Sequence, residues 1–113
     1  MPRTRDASNL ALVFQSLADP TRLQLLNLLS EGEVCVCDLT ATLGVVQPKV
    51  SRHLASLKRA GLVEARREGR WMHYRWSDSL PDAVCGIMKS VRRSMATDRG
   101  MTQARRKLKR ICC

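Results

Sequence analysis

The chain is poor in aromatic residues and contains no long apolar run. Phe, Trp and Tyr make up only 4% of its 113 residues, which disfavours RNA-binding modules that stack bases on the aromatic side chains of a sheet. No stretch has the length and hydrophobicity of a membrane span. The polar residues 1–6 are not followed by the apolar segment of a secretory signal. We therefore expect a cytoplasmic protein that has no membrane partner.

The sequence also lacks the motifs of thiol enzymes. Its five cysteines include no Cys-x-x-Cys pair and no cysteine in a phosphate-cradling loop, so we expect a protein that is not an enzyme. An odd number of cysteines without an export signal argues against a disulfide framework. Reduced thiols in the cytosol suit the binding of soft metals or redox sensing instead.

Acidic residues are scarce beside basic ones. The chain has 10 Asp and Glu against 20 Lys and Arg, which gives a formal net charge of +10. The basic residues concentrate in a central zone, residues 47–75, and in a second zone at residues 92–110. A polyanion is the partner that such a balance favours, and nucleic acid is the first candidate.

Helical spacing of apolar residues predicts a helix-turn-helix. A helix begins at Asp19-Pro20, with Asp as its N-cap and Pro in its first turn. A short helix over about residues 37–43 ends at Gly44, and after a brief turn a polar, basic helix covers residues 47–60. The buried stripe of that last helix is predicted to be Val50, Leu54 and Leu57.

The residues after this unit alternate between apolar and polar types. The alternation over residues 62–67 and 71–76, with Gly69 between them, predicts a β-hairpin. A hairpin directly after a helix-turn-helix is a wing, and we expect the aromatic residues of this wing to serve in packing. The predicted fold is therefore mainly α with a two-stranded β wing, a winged helix-turn-helix.

The end of the chain predicts a dimer and a tail. Apolar residues recur at helical spacing over residues 80–95, and a helix this apolar at the end of a small domain needs a partner. We expect a homodimer formed through the terminal helices. Residues 1–98 are predicted to form the DNA-binding and dimerisation domain. Residues 99–113 are predicted to form a basic, cysteine-containing tail that is at most partly ordered.

Double-stranded DNA suits this fold as the polyanion. The first turns of a recognition helix face base edges in the major groove, where Gln can pair with adenine and Arg with guanine. The basic residues of a wing can reach the phosphate backbone or the minor groove. The predicted DNA-binding residues are Gln47, Lys49, Ser51, Arg52, His53, Arg66, Arg67 and Arg70.

Four segments carry a resemblance to a known family. They are LADPTR at 17–22, CVCDL at 35–39, QPKVSRHL at 47–54 and GRWMHYR at 69–75. With these segments the chain, over about residues 7–95, resembles the ArsR/SmtB family of metal-responsive repressors, and most of all its arsenical-responsive branch. The resemblance implies a homodimer that binds operator DNA and releases it when As(III) or Sb(III) binds cysteine thiolates. It implies no required cofactor.

Cys35 and Cys37 are the predicted ligands of this inducer. Trivalent arsenic and antimony are soft and prefer thiolates, and two sulfurs at i and i+2 converge where an extended backbone enters a helix. The position near a helix N-terminus predicts a lowered pKa for Cys37. Arsenic-sensing members of the family often carry a third cysteine just after Leu39, whereas this chain has Thr40 there.

The third ligand and the class of signal have several candidates. The tail pair Cys112 and Cys113, no third protein ligand, and Cys85 are the alternatives for the third position. A thiol redox switch and a repressor responsive to another soft metal, such as cadmium or lead, are the alternative functions. No histidine follows His73, which argues against a zinc sensor with ligands on the last helix.

Overall fold

The computed structural model describes the backbone of residues 4–112 and the side chains of residues 9–111. Its described part contains six α-helices and three β-strands. In chain order they are α1 (Thr4–Leu17), α2 (Pro20–Leu29), β1 (Val34–Cys35), α3 (Val36–Leu43), α4 (Gln47–Arg59), β2 (Val63–Glu68), β3 (Trp71–Trp76), α5 (Asp82–Thr97) and α6 (Arg99–Cys112). None of these helices is long and apolar enough to cross a membrane.

The predicted helix-turn-helix is confirmed as α3 and α4. Gly44 ends α3 in the left-handed conformation, with φ of +65°, which glycine adopts without a steric penalty. Val46 is the N-cap of α4, and the proline in the first turn of that helix needs no hydrogen-bond donor there. The side chains predicted as a buried stripe are fully buried; they are Val50, Leu54 and Leu57.

The wing is the predicted hairpin, joined by a short strand that the sequence does not predict. Strands β2 and β3 pair antiparallel from Val63↔Trp76 to Glu68↔Trp71. Strand β1 pairs with the other side of β3 and brings Cys35 opposite His73, so the sheet has the order β1-β3-β2. A strand of two residues is too short to show a period of two in the sequence. It connects the segment containing Cys35 directly to the wing.

The core lies between α2, the helix-turn-helix and the sheet. Helix α2 is buried on most sides. Four of its leucines are at most 2% exposed; they are Leu25, Leu26, Leu28 and Leu29. On the sheet side, the Trp76 indole N–H donates to the Leu26 carbonyl at 2.8 Å, which satisfies its only polar atom inside the core. These contacts hold the base of the wing at a fixed place relative to α2.

The expectation of a partly ordered tail is wrong for residues 99–112. They form α6, which packs on α2 and α3 of the same subunit and buries Leu108. The Asn27 amide donates to the Met101 carbonyl at 2.9 Å, and the Arg105 guanidinium donates to the Asn27 side-chain oxygen and, at 3.0 Å, to the Met95 carbonyl. The many basic residues of the segment concealed its narrow apolar stripe.

Replacing Asp19 with alanine is expected to lower the free energy of unfolding by about 1 kcal/mol. The Asp19 carboxylate accepts the backbone N–H groups of Thr21, at 2.8 Å, and Arg22, at 3.0 Å, at the start of α2. The hydrogen bond from the Arg22 N–H is the main cause that lowers the pKa of Asp19 below its usual value. Urea unfolding followed by circular dichroism at pH 7 measures the loss.

Asp19→Asn is the matched control, because asparagine caps a helix about as well as aspartate. A lowered folded-state pKa contributes stability that is complete above the unfolded-state pKa and is lost as the pH falls through the folded-state pKa. The Asn variant is therefore expected to keep most of the stability at pH 7 and to lose the part of the acid dependence that comes from Asp19. Equal losses for both variants at pH 7 would show that the cap hydrogen bonds are unimportant.

Candidate functional site

Two cysteine sulfurs meet where β1 leads into α3. Cys35 is the N-cap of α3 and has an extended backbone, with φ of −71° and ψ of 143°. This conformation brings the Cys35 and Cys37 sulfurs to 2.8 Å, although residues two apart within a regular helix point in different directions. Cys35 is partly buried and Cys37 is exposed. The predicted convergence of the two sulfurs is confirmed, and the pair forms an accessible dithiol.

The predicted lowering of the Cys37 pKa is wrong. The hydrogen bond between the two sulfurs, with lesser contributions from burial and from the neighbouring Asp38 carboxylate, raises the pKa of Cys37 to about 11. A proton shared between two thiols is lost with more difficulty than a proton on an isolated thiol. The backbone hydrogen bond with Asp38, which lowers the pKa, does not outweigh this pairing.

No third metal ligand is found beside the two sulfurs among the described side chains. These side chains contain no group of three or more His, Cys, Asp or Glu that could hold a metal ion. Cys85 lines a different cavity, with Trp76 and Arg92. The side chain of Cys112 is not described and Cys113 lies outside the described residues, so the predicted role of this pair stays a prediction.

The dithiol opens into a cavity of about 310 Å³ that three parts of the fold share. Helix α3 and the residue before it supply the thiols and Thr40, helix α4 supplies two polar side chains, and the wing supplies four residues. The lining residues are Cys35, Val36, Cys37, Thr40, Gln47, Ser51, Arg70, Trp71, Met72 and Tyr74. The aromatic residues Trp71 and Tyr74, which the sequence predicts to serve in packing, line this cavity together with the sulfurs. A ligand on the thiols would therefore contact predicted DNA-reading residues.

Helix α4 presents its polar face to solvent. Gln47, Lys49, Ser51 and Arg52 are exposed, as a recognition helix requires. Because the helix is fixed by its buried stripe, the polar face of α4 keeps a constant direction relative to the subunit.

His53 is the exception among the predicted reading residues of α4. It is half-buried, and its Nδ1 lies 3.3 Å from the Arg22 guanidinium. A guanidinium has no acceptor, so Nδ1 must accept this hydrogen bond. The same guanidinium donates to the Ser16 and Gln15 carbonyls, at 2.7 and 2.9 Å. His53 thus ties α4 to the end of α1, a contact between distant residues that no sequence period signals.

The wing arginines differ in their surroundings. Arg66 lies in an ion pair with Glu33, at 2.6 Å, and a longer one with Glu68, at 3.3 Å, and the Arg66 side chain holds the pKa of Glu33 below its usual value. Arg67 and Arg70 are exposed, and the Arg70 guanidinium lies 5.5 Å from the Trp71 ring centroid. Arg66 therefore secures the wing to the segment before β1, while Arg67 and Arg70 present their charges at the outer end of the wing.

These elements define a class of protein. A helix-turn-helix with an exposed basic second helix, followed at once by a hairpin with exposed arginines at its end, is a winged helix-turn-helix DNA-binding unit. Residues 19–65 match the family model described as "Bacterial regulatory protein, arsR family".

Curated relatives and a solved structure agree with this match. The chain is 47% identical over 71% of its length to the arsenic resistance transcriptional regulator ArsR1 of Pseudomonas putida. It is 54% identical over 61% of its length to the arsenical resistance operon repressor of Escherichia coli. The matched segments span only 63% and 60% of those two relatives.

The structural match covers more of its counterpart. The homodimeric winged helix-turn-helix DNA-binding domain of Mb0332 from Mycobacterium bovis, a possible ArsR-family transcriptional regulator, superposes with a TM-score of 0.66 and 35% identity. The match covers 80% of this chain and 83% of that one. This chain therefore belongs to the arsR family of bacterial regulatory proteins.

Proposed function

We propose that the protein is a metalloid-responsive transcriptional repressor. As a homodimer it binds operator DNA through α4 and the wing, and it releases the DNA when As(III) or Sb(III) binds the thiolates of Cys35 and Cys37. The observation that carries this proposal is the cavity that both thiols share with Gln47, Ser51 and Arg70. The names of the relatives from Pseudomonas putida and Escherichia coli support arsenic as the signal.

Two structural connections support the coupling between the thiols and the DNA-reading residues. Cys35 pairs with His73 of β3, so a movement of Cys35 pulls on the wing. Helix α3, which begins beside the dithiol, packs directly on α4. Two sulfurs bonded to one arsenic atom lie farther apart than the 2.8 Å between Cys35 and Cys37, so a bound metalloid is expected to spread the two sulfurs and to shift the wing relative to α4. The ligand then favours a state in which the two DNA-binding elements no longer match the groove spacing.

The tail thiols remain candidates for the third ligand of the metalloid. Lys109, one helical turn before Cys112, lies 3.7 Å from Glu31, so the end of α6 runs beside the loop that precedes β1. A thiol of Cys112 or Cys113, from either subunit, can complete the three sulfurs that inorganic arsenic prefers. The alternative is a hydroxide or a small thiol in that position.

The homodimer is supported by an unpartnered apolar face of α1. Leu10 and Phe14 lie one helical turn apart and are 38% and 53% exposed. The domain from Mycobacterium bovis with the same fold is described as homodimeric. A second subunit that covers this face would bury Leu10 and Phe14, and a homodimer carries the two recognition helices that a palindromic operator requires.

Arg67→Ala is expected to weaken DNA binding more than Arg66→Ala. An arginine that contacts phosphate contributes about one unit to the slope of log affinity against log salt, and Arg67 presents an exposed charge. Arg66 already pairs with Glu33 and Glu68, so its loss removes less from the interface. Fluorescence anisotropy on the promoter fragment at several salt concentrations measures both variants. Equal effects on affinity and slope would contradict the assignment.

The function is tested by titrating the complex of the full-length protein and its own upstream promoter fragment. Arsenite and antimonite are expected to release the DNA at concentrations at which cadmium, lead and hydrogen peroxide do not. Release by peroxide alone would instead support a thiol redox switch, which the 2.8 Å distance between the two sulfurs also permits. Retention of the DNA at saturating arsenite and antimonite would overturn the proposal.

A further inference from the structure

The cavity beside the dithiol is much larger than an arsenic atom with its hydroxides requires. Its volume is about 310 Å³, whereas a water molecule occupies about 30 Å³ and an apolar cavity of about 150 Å³ already accepts benzene. The wall beyond the sulfurs carries Val36, Trp71, Met72 and Tyr74. These side chains offer apolar and aromatic surface to a ligand held on the thiols.

Thr40 occupies the place from which a third sulfur could reach the same ligand. It lines the cavity and lies one helical turn after Cys37, and its hydroxyl donates to the Cys37 carbonyl at 2.8 Å. A hydroxyl is a poor ligand for a soft ion. No third cysteine joins the pair among the described side chains. A trivalent arsenic atom bound to both sulfurs therefore has one remaining bond that no described side chain fills, and the cavity beside the sulfurs has room for a substituent on that bond.

We propose that the preferred ligand of the Cys35–Cys37 dithiol is a monosubstituted trivalent arsenical. In such a compound arsenic carries one carbon substituent and two hydroxyls. The substituent takes the remaining bond and lies in the cavity against Trp71, Met72 and Tyr74. This inference rests on the proposed function and names the class of inducer within it.

The binding step is balanced without any further reactant. Two As–S bonds form and two As–O bonds break, and each departing hydroxide takes up one thiol proton and leaves as water. Arsenic stays trivalent and its bond to carbon is kept, so neither an oxidant nor a reductant is needed. The organic group then fills space that also borders Gln47, Ser51 and Arg70, which opposes DNA binding by these residues.

The test uses the 113-residue chain with Cys85→Ser, Cys112→Ser and Cys113→Ser, so that Cys35 and Cys37 are the only thiols of these 113 residues. Phenylarsenite and inorganic arsenite are titrated against the protein, with bound ligand counted by intact mass and by loss of titratable thiols. They are also titrated against the protein bound to its promoter fragment. Phenylarsenite is expected to half-saturate the dithiol, and to release the DNA, at a concentration at least about tenfold lower than arsenite.

Two further variants separate the cavity from the thiols. Trp71→Ala is expected to weaken the binding of phenylarsenite about tenfold, because it removes aromatic contact surface. The same change is expected to leave the affinity for arsenite within about twofold of its original value. Thr40→Cys adds a third sulfur one turn from Cys37. This variant is expected to bind arsenite at least about tenfold more tightly, while its affinity for phenylarsenite changes little. Circular dichroism verifies that both variants are folded.

The outcomes distinguish the two proposals. The inference would be overturned if both arsenicals half-saturate the dithiol at the same concentration, or if Trp71→Ala lowers the affinity for both to the same extent. The proposed function would still stand. If neither compound binds the dithiol, or if both bind without releasing DNA, the proposed function fails as well. A Thr40→Cys variant with unchanged arsenite affinity would contradict the role given to the missing third sulfur.

Discussion

Replacing Cys35 or Cys37 with serine is expected to leave DNA binding intact and to abolish its reversal by arsenite. The two sulfurs lie 2.8 Å apart, and a hydroxyl in place of either one leaves a soft ion with a single thiolate from this pair. We expect the arsenite concentration for half-release to rise at least about 100-fold, beyond the effect of changes in residues that only orient a ligand. Serine nearly preserves the volume of cysteine, so the fold is retained.

The matched controls are cysteines at other places. Cys85 lines a separate cavity with Trp76 and Arg92. The Cys85→Ser variant is therefore expected to release DNA at the same arsenite concentration as the unaltered protein. The double replacement of Cys112 and Cys113 by serine decides whether the tail supplies a ligand. Anisotropy of the labelled promoter fragment reads out both binding and release. Normal release in Cys35→Ser and Cys37→Ser would remove the dithiol from the mechanism.

Replacing Phe14 with aspartate is expected to dissociate the proposed homodimer and to weaken DNA binding strongly. Phe14 is 53% exposed on α1, and a two-fold axis makes each change count twice in the interface. Burial of a large apolar side chain contributes about 1.5–3 kcal/mol. The dimer dissociation constant should therefore rise at least about 100-fold. A single subunit engages one half-site, so affinity for the full promoter fragment should fall at least about 100-fold.

Gln15→Asp supplies the control for this change. It introduces the same charge at the next position of the same helix, where the side chain is also exposed but points about a quarter-turn away. Sedimentation equilibrium measures the association of both variants, and thermal unfolding of each monomer verifies the fold. A Phe14→Asp protein that remains a dimer would exclude this face of α1 from the interface.

The parts of the fold that the sequence predicted are those with local signals. The start of α2 has an aspartate cap followed by proline, and Gly44 marks the end of α3 through its left-handed backbone. The buried stripe of α4 and the alternation in the wing each follow one period over several residues. The convergence of the Cys35 and Cys37 sulfurs followed from the extended backbone at a helix start.

The features that the sequence did not predict depend on contacts between distant residues. The pairing of β1 with β3 needs only two residues, and α6 is held by Asn27, which precedes it by more than 70 residues. The bond between Arg22 and His53 and the ion pair between Arg66 and Glu33 likewise join separate elements. The raised pKa of Cys37 is likewise not predicted by the sequence. Its largest cause is the hydrogen bond with the Cys35 sulfur, and the short distance between the two sulfurs depends on the fold.

A metalloid on the dithiol and DNA on α4 and the wing are expected to oppose each other's binding. The direct measurement is the arsenite affinity of the full-length protein, determined by thiol titration, alone and with saturating promoter fragment. Linkage requires that DNA weaken arsenite binding by the same factor by which arsenite weakens DNA binding. We predict the same factor, at least about tenfold, in both directions. An arsenite affinity that does not change when DNA is bound would contradict the account.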